Sequence, residues 1–240
     1  MDINYNLLKW DTEQFGYKIV SVRTDAMEFD DLDTLVAKLS NVNVKLVYFF
    51  VDPSDKTSNQ SLIRRSAFLA DEKITFQKKL MSANRFDYNS SIIPYKLEYT
   101  SEKLRFLALQ SGIYSRFKLD TKFANHEFEK LYNEWIDKSV KKIIADDILV
   151  YYKDDDEKGF ITIDTKKTIG SIGLIAVDEK ERGNSIGKEL MNAALSKFTE
   201  KGISNVEVVT QKANIIACKF YETLGFEIKN IENIYHLWIN

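Results

Sequence analysis

Residues 182–187 read Arg-Gly-Asn-Ser-Ile-Gly and stand between an apolar run, Thr168–Val177, and an amphipathic run that begins at Ile186. An arginine beside uncovered amides at the start of a helix can hold an anion. The first amides of a helix have no intrahelical acceptor, and they carry the positive end of its dipole. The spacing separates this turn from other phosphate loops. No Gly-Lys-Ser/Thr follows it, and its glycines at 183 and 187 stand four apart, unlike those of G-x-G-x-x-G. A plain solvated loop is the other reading of the same residues. Asn214 and Tyr221 lie seven residues apart, which on a helix is two turns and about 10 Å along one face. A phenol placed there is either a core aromatic on the Ala217/Leu224 face or a proton donor. With a pKa of about 10 it suits a departing thiolate whose conjugate acid lies at about 8.5.

Other reactive residue types lack the company that chemistry requires. Cys218 is the single cysteine, so it makes neither an internal disulfide nor a thiolate zinc cluster, and with no histidine partner in the sequence it reads as packing. His126-Glu127-Phe128-Glu129 lacks the H-E-x-x-H spacing of a zinc helix. His126 and His236 read as structural or surface residues. Asp154-Asp155-Asp156-Glu157 reads as the solvated tip of a hairpin, because a hard-cation loop spaces its oxygen ligands and sets a turn glycine among them.

The elements that must position these residues follow from periodicity. Strands are expected at Tyr17–Arg23, Leu46–Val51, Ile74–Leu80, Asp147–Tyr152, Phe160–Asp164, Thr168–Val177, Val206–Val209 and Tyr235–Ile239. Helices are expected at Phe29–Leu39, Ser61–Phe68, Ser101–Ser111, Asn125–Lys141, Ile186–Lys201 and Ala213–Leu224, the last two stopped by Gly202 and Gly225. The two glycines inside Thr168–Val177 point to a bulge or to a close approach by another backbone or a ligand. Strand, glycine turn, helix, strand, helix, strand makes an α/β unit. No internal repeat is visible. A change of texture around Pro94 divides the chain into an N-terminal α/β domain, 1–93, and a second domain, 94–240.

Composition sets the outer bounds. The chain has 240 residues, 44% of them apolar and 29% charged, as in an ordinary globular protein with a sizeable core. A formal net charge of −2 shows no footprint for nucleic acid or an acidic membrane. The first residues lack the pattern of a signal peptide, and no apolar run is long enough to span a bilayer. A cytoplasmic protein is expected.

From Ile172 to Phe226 the sequence resembles the Gcn5-related N-acetyltransferase superfamily. The first half of the resemblance is Arg182-Gly183-Asn184-Ser185-Ile186-Gly187 after a strand, with Ser185 where the motif has its first glycine. The second half is Val208-Val209-Thr210-Gln211, then Asn214, Ala217 and Phe220-Tyr221-Glu222-Thr223-Leu224-Gly225-Phe226. The resemblance implies an α/β (α+β) fold, a mixed sheet flanked by helices with two splayed parallel strands, following a smaller N-terminal α/β domain. It implies acetyl-CoA as cofactor, lying between Ile172–Val177 and Val206–Thr210. Leu174, Ile175, Ala176 and Val177 would hold the pantetheine arm, and Arg182, Gly183, Asn184, Ser185, Ile186, Gly187 and Lys188 the pyrophosphate. Asn214 and Ala217 would steady the arm, and Tyr221 would act as general acid in a direct transfer to a neutral amine. The base stays open among His236, a carboxylate and a water chain.

A further set of pieces is similar to the TDP-fucosamine acetyltransferases. They are Leu8-Lys9-Trp10-Asp11 with Phe15-Gly16, Ser115-Arg116-Phe117, Trp135-Ile136, Ser139-Val140, Glu189-Leu190-Met191 and Tyr235-His236-Leu237-Trp238. This likeness implies transfer to the 4-amino group of a nucleotide-linked 4-amino-4,6-dideoxy sugar, for surface polysaccharide, by a homodimer. Ser115, Arg116, Phe117 and Tyr235 would then contact the acceptor, with Arg116 on the diphosphate. Trp10, Phe15 and the strand Leu46–Val51 read as N-terminal core. Two alternatives stay open: another amine (a protein N-terminus, a polyamine, an antibiotic), and a non-catalytic acyl-CoA-binding module.

Overall fold

The computed structural model describes residues 4–239. In chain order the first half contains β1 (Tyr5–Leu7), α1 (Lys9–Phe15), β2 (Lys18–Arg23), α2 (Phe29–Asn41), β3 (Val44–Val51), α3 (Lys56–Arg64) and β4 (Phe68–Lys79). The second half contains β5 (Ile92–Pro94), α4 (Glu102–Ser111), α5 (Arg116–Leu119), α6 (Glu127–Val140), β6 (Asp147–Lys153), β7 (Asp156–Lys166), β8 (Ile169–Val177), α7 (Ile186–Glu200), β9 (Asn205–Gln211), α8 (Ile215–Thr223) and β10 (Glu227–Trp238). All the strands join one mixed sheet in the order β1-β2-β3-β10-β4-β9-β8-β7-β6-β5.

That order reads almost the same from both sides of its centre. In each half a parallel pair, β2 with β3 and β8 with β9, is linked through one helix and followed by a second helix and a third strand. The third strands are exchanged. β4 runs antiparallel to β9 of the second half, and β10 runs antiparallel to β3 of the first. The two exchanged strands pair with each other at the centre of the sheet. No repeat shows in the sequence because the two halves share an arrangement and no residue pattern. The change of texture near Pro94 falls in β5 at the sheet's edge, while hydrogen bonding crosses from one half to the other through β3, β10, β4 and β9 without a break.

Alternation along the strands divides the core between the two faces. On β3, Val47 and Phe49 pack with α2 residues such as Leu32 and Leu39, whereas Tyr48 packs with Phe117, Leu131 and Tyr132 on the opposite face. Ile161, Ile172, Leu190, Phe198 and Val208 make the core under α7 and α8. Leu104, Leu107, Ile136 and Phe160 make the one under α4 and α6.

Three local departures from expectation have plain causes. α3 occupies 56–64, earlier than its expected 61–68, because Asp55 caps it through the Ser58 amide and Ser66 at φ +61° ends it. β10 is a twelve-residue strand where five residues were expected, since its polar first half pairs with β4 alone and only its second half lies between β3 and β4. The acidic run is only partly a tip. Asp154 and Asp155 make the two-residue turn with left-handed φ, while Glu157 is buried and accepts from the Ser101 hydroxyl at 2.5 Å.

The exchange has a testable consequence. Residues 94–240 expressed alone lose β4, which leaves β9 with an open edge and β10 with no partner, so this fragment is expected to aggregate. Co-expression with 1–93 should restore a soluble, cooperatively melting complex, measured by size exclusion and thermal denaturation.

Candidate active site

The site begins where β8 and β9 part. They pair in parallel register from Ile169–Asn205 to Ile172–Val208, and no pairing follows. The cause lies on the other side of β8. Ile161 of β7 faces Ile175 while Ile163 faces Ile172, so Thr162 alone opposes both Gly173 and Leu174. This is a β-bulge, and it bends the strand that carries the extra residue. The Leu174 amide donates to Thr162 Oγ1 at 2.7 Å. A Cβ on Gly173 would stand 2.6 Å from that oxygen, so only glycine fits. β9 cannot follow β8, because β4 holds it along its whole length from Asn205 to Gln211. Beyond the bulge, the Asp178 backbone amide donates to the Lys158 carbonyl, and by alternation Ile175 and Val177 turn their amides away from β7 into the gap. In the first half, β2 and β3 pair through Arg23–Phe50 and no gap opens.

Above the gap, residues 182–185 form an exposed turn leading into α7. Gly183 has φ +83°, and Ser185 also takes a left-handed conformation at φ +61°, in the N-cap position but with no side-chain cap bond. For a residue with a Cβ this costs about 1–2 kcal/mol. The serine therefore holds, at the expense of strain, a backbone conformation that glycine adopts freely. Arg182 Nε donates to the Val177 carbonyl at 3.3 Å. Asn214 Oδ1 accepts from the Ala217 amide at 3.2 Å and caps α8, a bond worth about 1 kcal/mol.

Tyr221 on α8 is 3% exposed, with its ring against Phe76 at 5.6 Å, Phe220 at 5.4 Å and Phe226 at 5.9 Å. It lines the gap, and its hydroxyl has no hydrogen-bond partner among the described residues. Burial, with Cys218 close by, pushes its pKa up, so the phenol stays protonated. Cys218 contacts the Gln211 carbonyl through Sγ at 3.7 Å and has no histidine beside it.

On the other face of the sheet, Arg116 is clamped between the rings of Tyr48 and Phe117, at 3.9 and 4.4 Å from their centroids. Its guanidinium donates to His236 Nε2 at 3.0 Å. His236 Nδ1 meets Asp120 Oδ2 at 2.7 Å, and the Trp238 indole donates to the same oxygen at 2.9 Å. Burial, joined by the charge of Arg116 and opposed by Asp120, brings the histidine pKa down to about 4. It is thus a neutral ring with its proton on Nδ1. His236 is 1% exposed with both nitrogens engaged, so it orients Arg116 and is not free to act as a base.

One cleft of about 990 Å³ joins the two regions. It is lined by Leu174, Ile175, Ala176, Val177, Arg182, Gly183, Ser185, Ile186, Gly187, Lys188, Asn214, Ala217 and Tyr221, and at the far end by Ser115, Arg116 and Phe117. Two expected residues stand elsewhere. Asn184 sits on the outside of the turn with Nδ2 3.4 Å from Glu181. Tyr235 points to the opposite face and donates to Asn59 Oδ1 at 2.8 Å, because strand alternation gives the cleft Ile234 instead. Trp10, Phe15 and Phe50 pack against the core of Tyr48, Phe117 and Leu131, as read from the sequence, and Trp10 and Phe50 also line the cleft. Asp11, Asp71, Lys73 and Gln211 also line it, and none of the four was expected as a site residue, Asp11 and Gln211 entering only as parts of the resemblances. Asp71 opens a run of three consecutive charged residues, Asp71-Glu72-Lys73, in which no alternation marks it as facing a site. Among the described residues no group of side chains is arranged to hold a metal ion, and no helix is long and apolar enough to cross a membrane.

The model of the acetyltransferase (GNAT) family matches residues 107–226. The chain belongs to this family. The family's cofactor, and so the one to be fitted here, is acetyl-CoA. The unpaired amides of Ile175 and Val177 and the left-handed turn at 183–185 suit its amide-bearing arm and its phosphates. A mycothiol acetyltransferase of Thermobispora bispora is 33% identical over 67 residues, covering 28% of this chain and 23% of that one. The mycothiol acetyltransferase of Brachybacterium faecium is 24% identical over 180 residues, 68% of this chain and 52% of its own. The chain thus spans about half or less of the length of these curated relatives. Among solved structures, a GCN5-related N-acetyltransferase from Sphaerobacter thermophilus superposes with a TM-score of 0.61 at 12% identity, over 98% of this chain and 76% of that one. A tandem GNAT protein from the clavulanic acid biosynthesis pathway gives 0.56 at 11% identity, over 88% and 69%. At these identities the likeness shows the fold: a mixed sheet flanked by helices, with parallel strands in it.

Two substitutions test this geometry. Ser185→Gly relieves the left-handed strain and is expected to raise stability by about 0.5–1 kcal/mol in chemical denaturation without weakening acetyl-CoA binding. Gly173→Ala drives a methyl group into Thr162 and is expected to lower stability by about 1–3 kcal/mol and to weaken acetyl-CoA binding in calorimetry.

Proposed function

We propose that this chain is an acetyl-CoA-dependent N-acetyltransferase, and that its acceptor is a small-molecule amine carrying an anionic group. The observation that carries the reading is the unpaired length of β8 and β9, with Tyr221 lining the gap between them and the exposed turn of 182–185 above. When bound, acetyl-CoA supplies a thioester-linked acetyl group. The amides of Ile175 and Val177 are available to the arm as a strand edge, and the turn amides and Arg182 to the phosphates. Tyr221, kept protonated by burial, holds the proton that the departing sulfur requires.

The acceptor enters at the Arg116 end. A guanidinium fixed by His236 and two aromatic rings offers a preorganised receptor for phosphate or carboxylate oxygens. This supports a nucleotide-linked amino sugar, and within that class the 4-amino-4,6-dideoxy sugars whose acetyltransferases the sequence resembles. A mycothiol-related amine is the second reading, favoured by the length of the match to the Brachybacterium relative.

Thiol release separates the acceptors. The panel contains TDP-4-amino-4,6-dideoxygalactose, a mycothiol-related amine, a peptide N-terminus, a polyamine and an aminoglycoside. The sugar nucleotide is expected to be turned over best. Preference for another amine moves the acceptor assignment, and turnover of none contradicts the enzyme reading. Tyr221→Phe is expected to lower kcat by about 10²-fold or more with acetyl-CoA affinity unchanged. Arg116→Ala should raise the acceptor KM about tenfold or more with little effect on the cofactor.

A further inference from the structure

We propose that Asp71 is the catalytic base of this cleft, taking the proton from the acceptor's ammonium group. The assignment rests on the acetyltransferase reading above and names a residue of that same site. In the step, one N–H bond of the ammonium breaks, an O–H bond forms on Asp71, and the electron pair stays on nitrogen, which becomes the neutral amine that attack requires.

Four observations place the carboxylate for this work. Asp71 lies on β4, the strand the first half lends to the second, and lines the cleft on the face shared with Arg116. Its Cα partner on β10 is Ile234, which also lines the cleft. The register of β4 against β10 slips between Asp71 and Leu69, so a bulge stands directly beside the residue. Bulges next to sites re-aim a side chain. Asp71 Oδ1 is buried and has no hydrogen-bond partner among the described residues. A buried acceptor left unpaired is costly and calls for an explanation, and a donor brought in by the acceptor supplies one.

The surroundings hold the carboxyl between its two charge states. Burial pushes its pKa up, to about 7, against the opposing pull of Arg116 on α5, Lys73 on its own strand and the Gln211 side chain on β9, with Glu72 adding to the rise. Tyr132 on α6 also faces it, as a neutral phenol with a raised pKa. A base that is half ionised near neutrality both accepts a proton and gives it up again between turnovers. Asp11 is the competing carboxylate. It too lines the cleft, and burial raises its pKa, but it stands on α1 and lacks an unpaired buried oxygen. His236 is occupied with Arg116 and Asp120.

The test pairs kinetics with a readout independent of turnover. In wild-type protein labelled with γ-¹³C aspartate, one carboxyl resonance is expected to titrate with a midpoint near about 7, and to be missing from Asp71→Asn. A carboxyl with a folded pKa above its unfolded value stabilises the fold below the unfolded value and loses that contribution as pH rises through about 7. Asp71→Asn should therefore gain thermal stability relative to wild type across that window, which also shows that the variant folds. With the amine turned over fastest in the panel, wild-type kcat/KM should rise with pH to a plateau above about 7. Asp71→Asn should lose about 10²-fold near neutrality and lose that limb, with its deficit shrinking near pH 9 as more of the amine is already neutral. Its acetyl-CoA affinity should stay unchanged in calorimetry. The proposal is overturned if Asp71→Asn keeps the limb, if Asp11→Asn loses it instead, or if no carboxyl titrates above about 6. Wild type that turns over no amine removes the acetyltransferase reading and this proposal with it. Wild-type turnover with an unaltered limb in Asp71→Asn removes this proposal alone.

Discussion

A threonine hydroxyl standing where a ladder would use a carbonyl is the contact on which the site depends. Thr162 opposes two residues of β8, takes the Leu174 amide, and leaves room at Gly173 for no Cβ. The strand must bend there, and its neighbour β9 is held flat by β4. A parallel pair that closes in the first half therefore opens in the second. The opening leaves main-chain polar groups unpaired along one wall of the cleft. Such groups are expensive unless something pairs with them, and a ligand rich in amides and phosphates is of that kind.

The exchange of third strands gives the first half a part in the chemistry. β4 is the clamp that keeps β9 from following β8, and it carries Asp71 into the cleft. Arg116 is braced by Tyr48 of β3 and by His236 of β10, so its aim is set by strands from both halves. The neutral state of His236 matters here. A ring with its proton on Nδ1 leaves Nε2 as an acceptor for the guanidinium, while Asp120 fixes that tautomer from behind. The arrangement thus puts a fixed cation and a titrating carboxylate in one cleft, with the phenol of Tyr221 lining the same space.

What could be read from the chain alone was what is local in it. The turn at 182–185, the helix that follows it and the helix that carries Tyr221 come from short-range spacing, whereas the cap that Asn214 provides on α8 was not foreseen. The bulge was signalled by glycines inside an apolar strand, although its partner Thr162 was not. Tyr235 was placed on the wrong side of β10 because a strand's facing is decided by register against its neighbours, here with β3 and β4 from far along the chain. The same long-range pairing hid the length of β10 and the place of Asp71 in the cleft. Ser185 broke the motif in letters but takes a left-handed conformation open to glycine, a matter of one dihedral angle that spacing does not reveal.

The central claim is that the free edge of β8 is the surface that grips acetyl-CoA. Amide hydrogen exchange at single-residue resolution addresses it directly, by comparing Ile175 and Val177 with and without saturating acetyl-CoA. The account predicts slow exchange at both amides only when acetyl-CoA is present, with Ile172 protected in either state. Equal exchange at Ile175 and Val177 in the two states, with acetyl-CoA demonstrably bound, would contradict it.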